Sequence, residues 1–168
     1  MKNIFLIGMM GSGKSTLASL LSKKTNIPVY DIDREIEKIM ELSIKDFFNK
    51  YGEKRFRMIE TSFFNEMIKV NQGIYSTGGG IVESKINRDA LKNNGFTIFL
   101  DCSIDVIINR IGDNIKSRPL LSSNYKIELG EIYESRKDKY KESAHLTINT
   151  DKYSKEIIVE KIYNKINV

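Results

Sequence analysis

The stretch "IGMMGSGKST", residues 7–16, has the spacing G-x-x-x-x-G-K-[ST]. Before it lies "NIFLIG" (Asn3–Gly8), an almost wholly apolar run that reads as a strand buried on both faces. After it, Lys14 to Lys24 reads as a helix. A strand, a glycine-rich turn and a helix N-terminus in that order decide the fold. Glycines let successive backbone N–H groups turn inward around phosphate oxygens without a Cβ in the way. The helix N-terminus adds a partial positive charge of roughly half a unit. The pattern assigns Gly11, Ser12, Gly13, Lys14, Ser15 and Thr16 to a nucleoside triphosphate, expected to be ATP. Within it Lys14 reaches the β- and γ-phosphates and the Ser15 hydroxyl serves Mg²⁺.

Working outward, short β-branched runs alternate with longer amphipathic ones, which indicates βα units and a parallel sheet. "PVYDID" (28–33) reads as the second strand. "DREIEKIM" reads as a helix from Asp33 with Ile36, Ile39 and Met40 on one face. Ser43 and Asp46 begin a short helix by N-capping. A long helix from Glu53 to Lys69 carries Phe56, Ile59, Phe63 and Met67. "GIYSTGGG" (73–80) reads as a strand ending in glycines, and Ser84 to Asn94 as a helix closed by Gly95. "FTIFLDC" is a strand, with Cys102 packed at its end, and "SIDVIINRI" a helix. "GDNIKSRPLLSSN" (112–124) lacks periodicity and reads as a mobile loop. A helix from Lys126 to Glu142, the strand "HLTINT" and a helix from Ser154 to Asn164 complete a chain of about five parallel strands. His145, at the start of that last strand, reads as structural.

Ligands of such sheets sit at the carboxyl ends of the strands. Strand alternation places Asp31 and Asp33 on one face, one to support a metal and one to take a proton from an attacking hydroxyl. Asp33 as a plain N-cap fits the same spacing. Arg57 and Glu60, three apart, share a helix face, as a surface pair or as a clamp for a substrate carboxylate. Gly78, Gly79 and Gly80 are costly in backbone entropy, and close approach of a ligand accounts for them. Arg118 in the loop reads as a residue that closes over the nucleotide and stabilises transition-state charge, or as a solvent-facing side chain. Arg136 reads as a second anion-binding residue or as part of the charged face "SRKDK".

Taken in order, "GMMGSGKST", "DID", "FRMIE", "STGGG", "SRPLL" and "SRKDKY" resemble the shikimate kinase family over nearly the whole chain. The resemblance implies a single domain over 1–168 with a three-layer P-loop kinase fold: a five-stranded parallel sheet, helices on both faces and a mobile lid. The lid falls at about 112–124 and a substrate-binding helical region at about 33–60. It implies transfer of the γ-phosphoryl group of ATP to the 3-hydroxyl of shikimate, on the route to chorismate and the aromatic amino acids. By the same resemblance, Lys14 and Ser15 serve ATP and Mg²⁺, with Asp31 supporting the metal through water. Asp33 binds the substrate hydroxyls and is the base, Arg57 and Arg136 grip the shikimate carboxylate, and Glu60 orients Arg57. Gly78, Gly79 and Gly80 meet the ring hydroxyls, Arg118 closes onto the phosphates and Arg110 lies against adenine. The chain departs from the family at two places. Family members often have Pro-Leu-Tyr after the late arginine, where this chain has Lys137-Asp138-Lys139-Tyr140. Where an arginine often meets adenine beyond the last strand, it has Lys152 and Tyr153.

Composition bounds the alternatives. The 168 residues, 40% hydrophobic and 29% charged, suit one globular domain. No run approaches the roughly 20 apolar residues of a membrane span, and no signal-peptide pattern is visible. One cysteine excludes an internal disulfide framework. A cytoplasmic monomer is therefore expected. The net charge of +5 comes from 27 basic and 22 acidic residues, which alternate along helices such as "KDKYKES" as on solvated faces. Neither a nucleic-acid nor a membrane partner is expected. The rival readings are a kinase for another small acceptor, such as a gluconate-like sugar acid or a nucleoside monophosphate, and a nucleotide-dependent switch.

Overall fold

The computed structural model describes residues 2–112 and 124–166. Its elements run β1 (Asn3–Ile7), α1 (Lys14–Thr25), β2 (Val29–Asp31), α2 (Ile32–Met40), α3 (Ile44–Tyr51), α4 (Glu53–Val70) and β3 (Ile74–Ser76). A 3-10 turn (Ile81–Glu83) follows, then α5 (Lys85–Asn93), β4 (Gly95–Asp101), α6 (Ile104–Ile111), α7 (Tyr125–Ser143), β5 (Leu146–Asn149) and α8 (Lys155–Ile166). Among the described residues the five strands form one parallel sheet in the order β2-β3-β1-β4-β5.

The pleat sends alternate side chains to opposite faces, and both faces are covered. Phe5, Ile7, Tyr75 and Phe99 face one core with Phe56 and Phe64 of α4 and Tyr140 of α7. Ile4, Leu6, Ile74 and Ile98 face the other with Leu17 and Leu21 of α1 and Ile158 and Ile162 of α8. Burying each such side chain contributes about 1.5–3 kcal/mol. Three layers result, with the strands' carboxyl ends gathered on one rim.

Four local expectations are corrected. β2 stops at Asp31, which caps α2 by accepting from the Arg34 N–H at 3.4 Å, so Asp33 lies in the first helical turn and not on the strand. Ile39 is 69% exposed and sits off the buried face that holds Ile32 and Ile36. On α4 the fully covered row is Phe56, Glu60, Phe64 and Ile68, one residue round from the row through Ile59 and Phe63. Gly95 does not close α5, whose cap is Asn94. It opens β4, paired with Asn3, where an added Cβ would lie 2.4 Å from the Asn3 carbonyl oxygen. Only a glycine lets β4 close on β1 there. The loop expected at 112–124, with Arg118, lies outside the described residues except for its two ends.

Candidate active site

The turn after β1 carries three glycines with positive φ: Gly8 at 142°, Gly11 at 74° and Gly13 at 96°. At Gly8 a Cβ would also stand 2.6 Å from the Leu100 carbonyl oxygen. Gly13 is the N-cap of α1 in the left-handed region and offers no side-chain cap. By contrast α2, α3, α5 and α6 are capped by Asp31, Ser43, Ser84 and Ser103. The N–H groups opening α1 are thus left to an external anion. Lys14, buried, donates from Nζ to the carbonyls of Gly8 at 2.9 Å and Met9 at 2.8 Å. The Ser12 hydroxyl is buried and has no partner.

Two cavities open on either side of this turn. The first, about 530 Å³, is lined by Gly11, Ser12, Gly13 and Thr16, and across from them by Arg110 and Tyr153. Arg110 is held by Thr150, through Oγ1 at 3.0 Å and the carbonyl at 3.1 Å, and by Cys102 Sγ at 3.3 Å. Lys152, which sequence placed beside Tyr153, turns to a different groove between β5 and α8.

The second cavity, about 480 Å³, collects Ser15, Asp31, Asp33, Arg57, Gly78–Gly80 and Arg136. The Ser15 hydroxyl donates to Asp31 Oδ2 at 2.9 Å and lies 3.0 Å from the Ser76 hydroxyl. Ser76, at the end of β3, was quoted in the glycine motif but given no role there. Asp33 is partly buried; desolvation, reinforced by the charge of Asp31, holds its carboxyl above the usual carboxylate range against the pull of Lys14 and Arg57.

Arg57 extends along α4 between two carboxylates. Glu53 Oε1 accepts from Nε and Nη2, at 3.2 and 2.9 Å, and Glu60 Oε2 accepts from Nη1 at 2.7 Å. Glu60 is fully buried, with Oε1 unpartnered. Desolvation pushes its carboxyl up to about 7, although Arg57 pulls the other way. It stands behind Arg57 and does not line the cavity.

None of Gly78, Gly79 and Gly80 has a positive φ, so backbone conformation does not require them. Close approach requires Gly78 and Gly80, whereas a Cβ on Gly79 would come no nearer than 3.4 Å to its neighbours, an ordinary contact. A Cβ on Gly78 would lie 2.6 Å from Asp33 Oδ1, and one on Gly80 would lie 2.1–2.4 Å from the guanidinium atoms of Arg57. Gly78 and Gly80 make room for the two side chains most central to the cavity.

Arg136 is buried, with Nε donating to Glu83 Oε1 at 2.6 Å. Its helix is not a solvated face along its length, because Leu129, Arg136, Tyr140 and Ser143 are buried on it. Tyr140 stacks on Phe99, ring centroids 4.9 Å apart, and its hydroxyl donates to the Gly79 carbonyl. Glu83 and Tyr140 escaped sequence reading, since no local spacing links them to their partners; Glu53 escaped it although it stands four residues before Arg57 on the same helix. His145 behaves as expected: its Nδ1 accepts from the Thr97 N–H at 3.1 Å and its ring stacks on Phe96. Cys102 is buried where β4 ends, its thiol pushed up to about 11 by burial.

The glycine turn thus lies between two cavities, one of which gathers the Asp33 carboxyl and the guanidinium groups of Arg57 and Arg136. The model of the family described as "Shikimate kinase" matches residues 10–167. A shikimate kinase of Sulfurihydrogenibium sp. is 38% identical over 166 residues, covering 99% of this chain and 98% of that protein. One of Persephonella marina is 40% identical over 167 residues, covering 99% of each. Among solved structures, shikimate kinase from Acinetobacter baumannii in complex with shikimate matches with a TM-score of 0.94 at 33% identity, covering 99% of this chain and 93% of that one.

Proposed function

The chain belongs to the shikimate kinase family, and from that premise we propose that it transfers the γ-phosphoryl group of ATP to the 3-hydroxyl of shikimate, giving shikimate 3-phosphate and ADP. The observation that carries this reading is the meeting of Asp33, Arg57 and Arg136 in one cavity beside the phosphate turn.

Roles follow from position. The N–H groups at the start of α1, with Lys14, hold the triphosphate, and Arg110 and Tyr153 flank its base. Arg57 and Arg136 hold the carboxylate of shikimate, which turns the ring so that a hydroxyl faces Asp33. Asp33 takes the hydroxyl proton as that oxygen attacks the γ-phosphorus, and the bond to the β-phosphate oxygen breaks. Lys14 offsets charge on the transferring group. The Ser15 hydroxyl and Asp31 carboxylate set hard oxygen donors side by side, a donor set that fits Mg²⁺. Held by Ser15 and Asp31, the ion would supply charge neutralisation to the triphosphate. Among the described residues no helix is long and apolar enough to cross a membrane. We take the enzyme to act in the cytoplasm as a monomer.

A coupled ADP-release assay tests the assignment. ATP and Mg²⁺ with shikimate should release ADP at a rate that gluconate, nucleoside monophosphates or water do not reach. Faster turnover with another acceptor would overturn it.

The acid limb of the rate is a second expectation. Asp33 must be ionised to take a proton, and Glu60 must be ionised to hold Arg57 fully. Both carboxyls are raised by burial, so kcat/KM for shikimate should fall as pH drops below about 7. Glu60→Gln removes one of the two titrating groups and a negative charge near Asp33. The limb should therefore move to lower pH; an unmoved profile would exclude Glu60 from it.

A further inference from the structure

Glu83 lies on the 3-10 turn that follows the three glycines, and it reaches across to α7. Its Oε1 accepts from Arg136 Nε at 2.6 Å and its Oε2 accepts from Lys139 Nζ. Glu53 Oε1, which holds Arg57, also lies 4.0 Å from Arg136 Nη2. Along one wall the charges therefore alternate: Lys139, Glu83, Arg136, Glu53, Arg57, Glu60.

A guanidinium with 6% of its side chain exposed is costly to bury unless paired. Glu83 provides the pairing, and it does so at Nε, the edge of the fork nearest the chain. Such a bond fixes the rotation of the guanidinium plane while leaving the terminal pair to face another carboxylate. Glu83 alone would cancel the charge of Arg136 toward an anion. Lys139, on its second oxygen, restores the balance: two cations and one carboxylate leave a net positive charge. The same contact fixes the carboxylate plane. Sequence shows that Lys139 falls in the run Lys137-Asp138-Lys139-Tyr140 after Arg136, so the arginine and the counter-ion are delivered by adjacent turns of one helix.

We propose that Glu83 is a positioning residue for the acceptor, acting through Arg136, and that Lys139 keeps the Glu83–Arg136 pair net positive toward the acceptor's carboxylate. This rests on the reading of Arg136 as a grip on that carboxylate.

Steady-state kinetics of the full chain test it, with Glu83→Ala, Glu83→Gln, Lys139→Met, Arg136→Ala and the double variant Glu83→Ala/Arg136→Ala, each with its melting temperature. Glu83→Ala should raise KM for shikimate about tenfold, the scale of one charge-assisted hydrogen bond. Its kcat and its KM for ATP should stay within about twofold, the scatter of a neutral substitution. Glu83→Gln keeps an acceptor and should recover part of the loss. Lys139→Met should raise KM for shikimate about threefold, as a lost nearby charge does. The double variant should bind shikimate no worse than Arg136→Ala alone, since one residue acts through the other. A lowered melting temperature with KM unchanged would reduce Glu83 to a structural bridge and overturn the inference, as would additive losses in the double variant. If Arg136→Ala itself leaves KM for shikimate unchanged, the reading of Arg136 falls and the inference with it. If only Glu83→Ala is silent, that reading stands and the inference alone falls.

Discussion

Asp33→Asn is expected to reduce kcat by about 10²–10⁴, the usual contribution of a positioned general base, while KM for ATP and shikimate changes little. The replacement keeps the shape and the ability to accept a hydrogen bond from the 3-hydroxyl, but an amide cannot take the proton. The environment of Asp33 argues for the larger end. Burial and the neighbouring Asp31 raise its carboxyl, while Lys14 and Arg57 limit the rise. A carboxylate with a raised pKa is a stronger base than one in open water. Single-turnover phosphoryl transfer measures the chemical step without product release. A loss of less than about tenfold would mean that proton transfer needs no side chain there.

Gly80→Ala should be the second large effect, and it separates function from folding. The new methyl would stand 2.1–2.4 Å from the Arg57 guanidinium. That group is the far end of a flexible side chain, so the backbone need not move, and the melting temperature should fall only modestly. Arg57, however, must leave Glu53 and Glu60, and with it goes the aim of its fork. KM for shikimate should rise about 10–100-fold, the range for one or two lost charge-assisted hydrogen bonds. Glu60, buried with one oxygen already unpartnered, would then take up a proton at a higher pH. Measuring KM and melting temperature together checks this. A variant with normal KM would show that Arg57 holds the acceptor from another position.

Much of this site was legible because its parts are local. The phosphate turn is read from adjacent residues, Asp31 and the glycines sit where strands end, and Arg57 and Glu60 are one helical turn apart on α4. The alternation argument for Asp31 and Asp33 named two residues that line one cavity, but for a wrong reason. Asp31 caps α2, so a helical turn and not a pleat carries Asp33 to the cavity. The buried row of α4 was misplaced by one residue because apolarity was the guide. Glu60 occupies a core position in that row, and no pattern of apolar residues marks a carboxylate buried to hold an arginine. Glu83 and Tyr140 were missed for another reason. Their partners lie 53 and 61 residues away, beyond any helical or strand period. A carboxylate three residues after the last of three glycines, with basic residues on a later helix, was the signal available.

The strand order has a consequence for how the chain avoids sticking to itself. β1 and β4, which carry "FLI" and "IFL", occupy interior positions of the sheet. Its edges are left to β2, three residues long, and β5, four residues long and flanked by Lys152, Lys161 and Lys165. Short and charged edges are poor templates for another chain, so the segments most prone to cross-β association are hidden once the sheet has closed. They are open only before β4 docks on β1. Aggregation should thus compete with folding at that step, and it should scale with chain concentration during refolding while the native protein stays in solution.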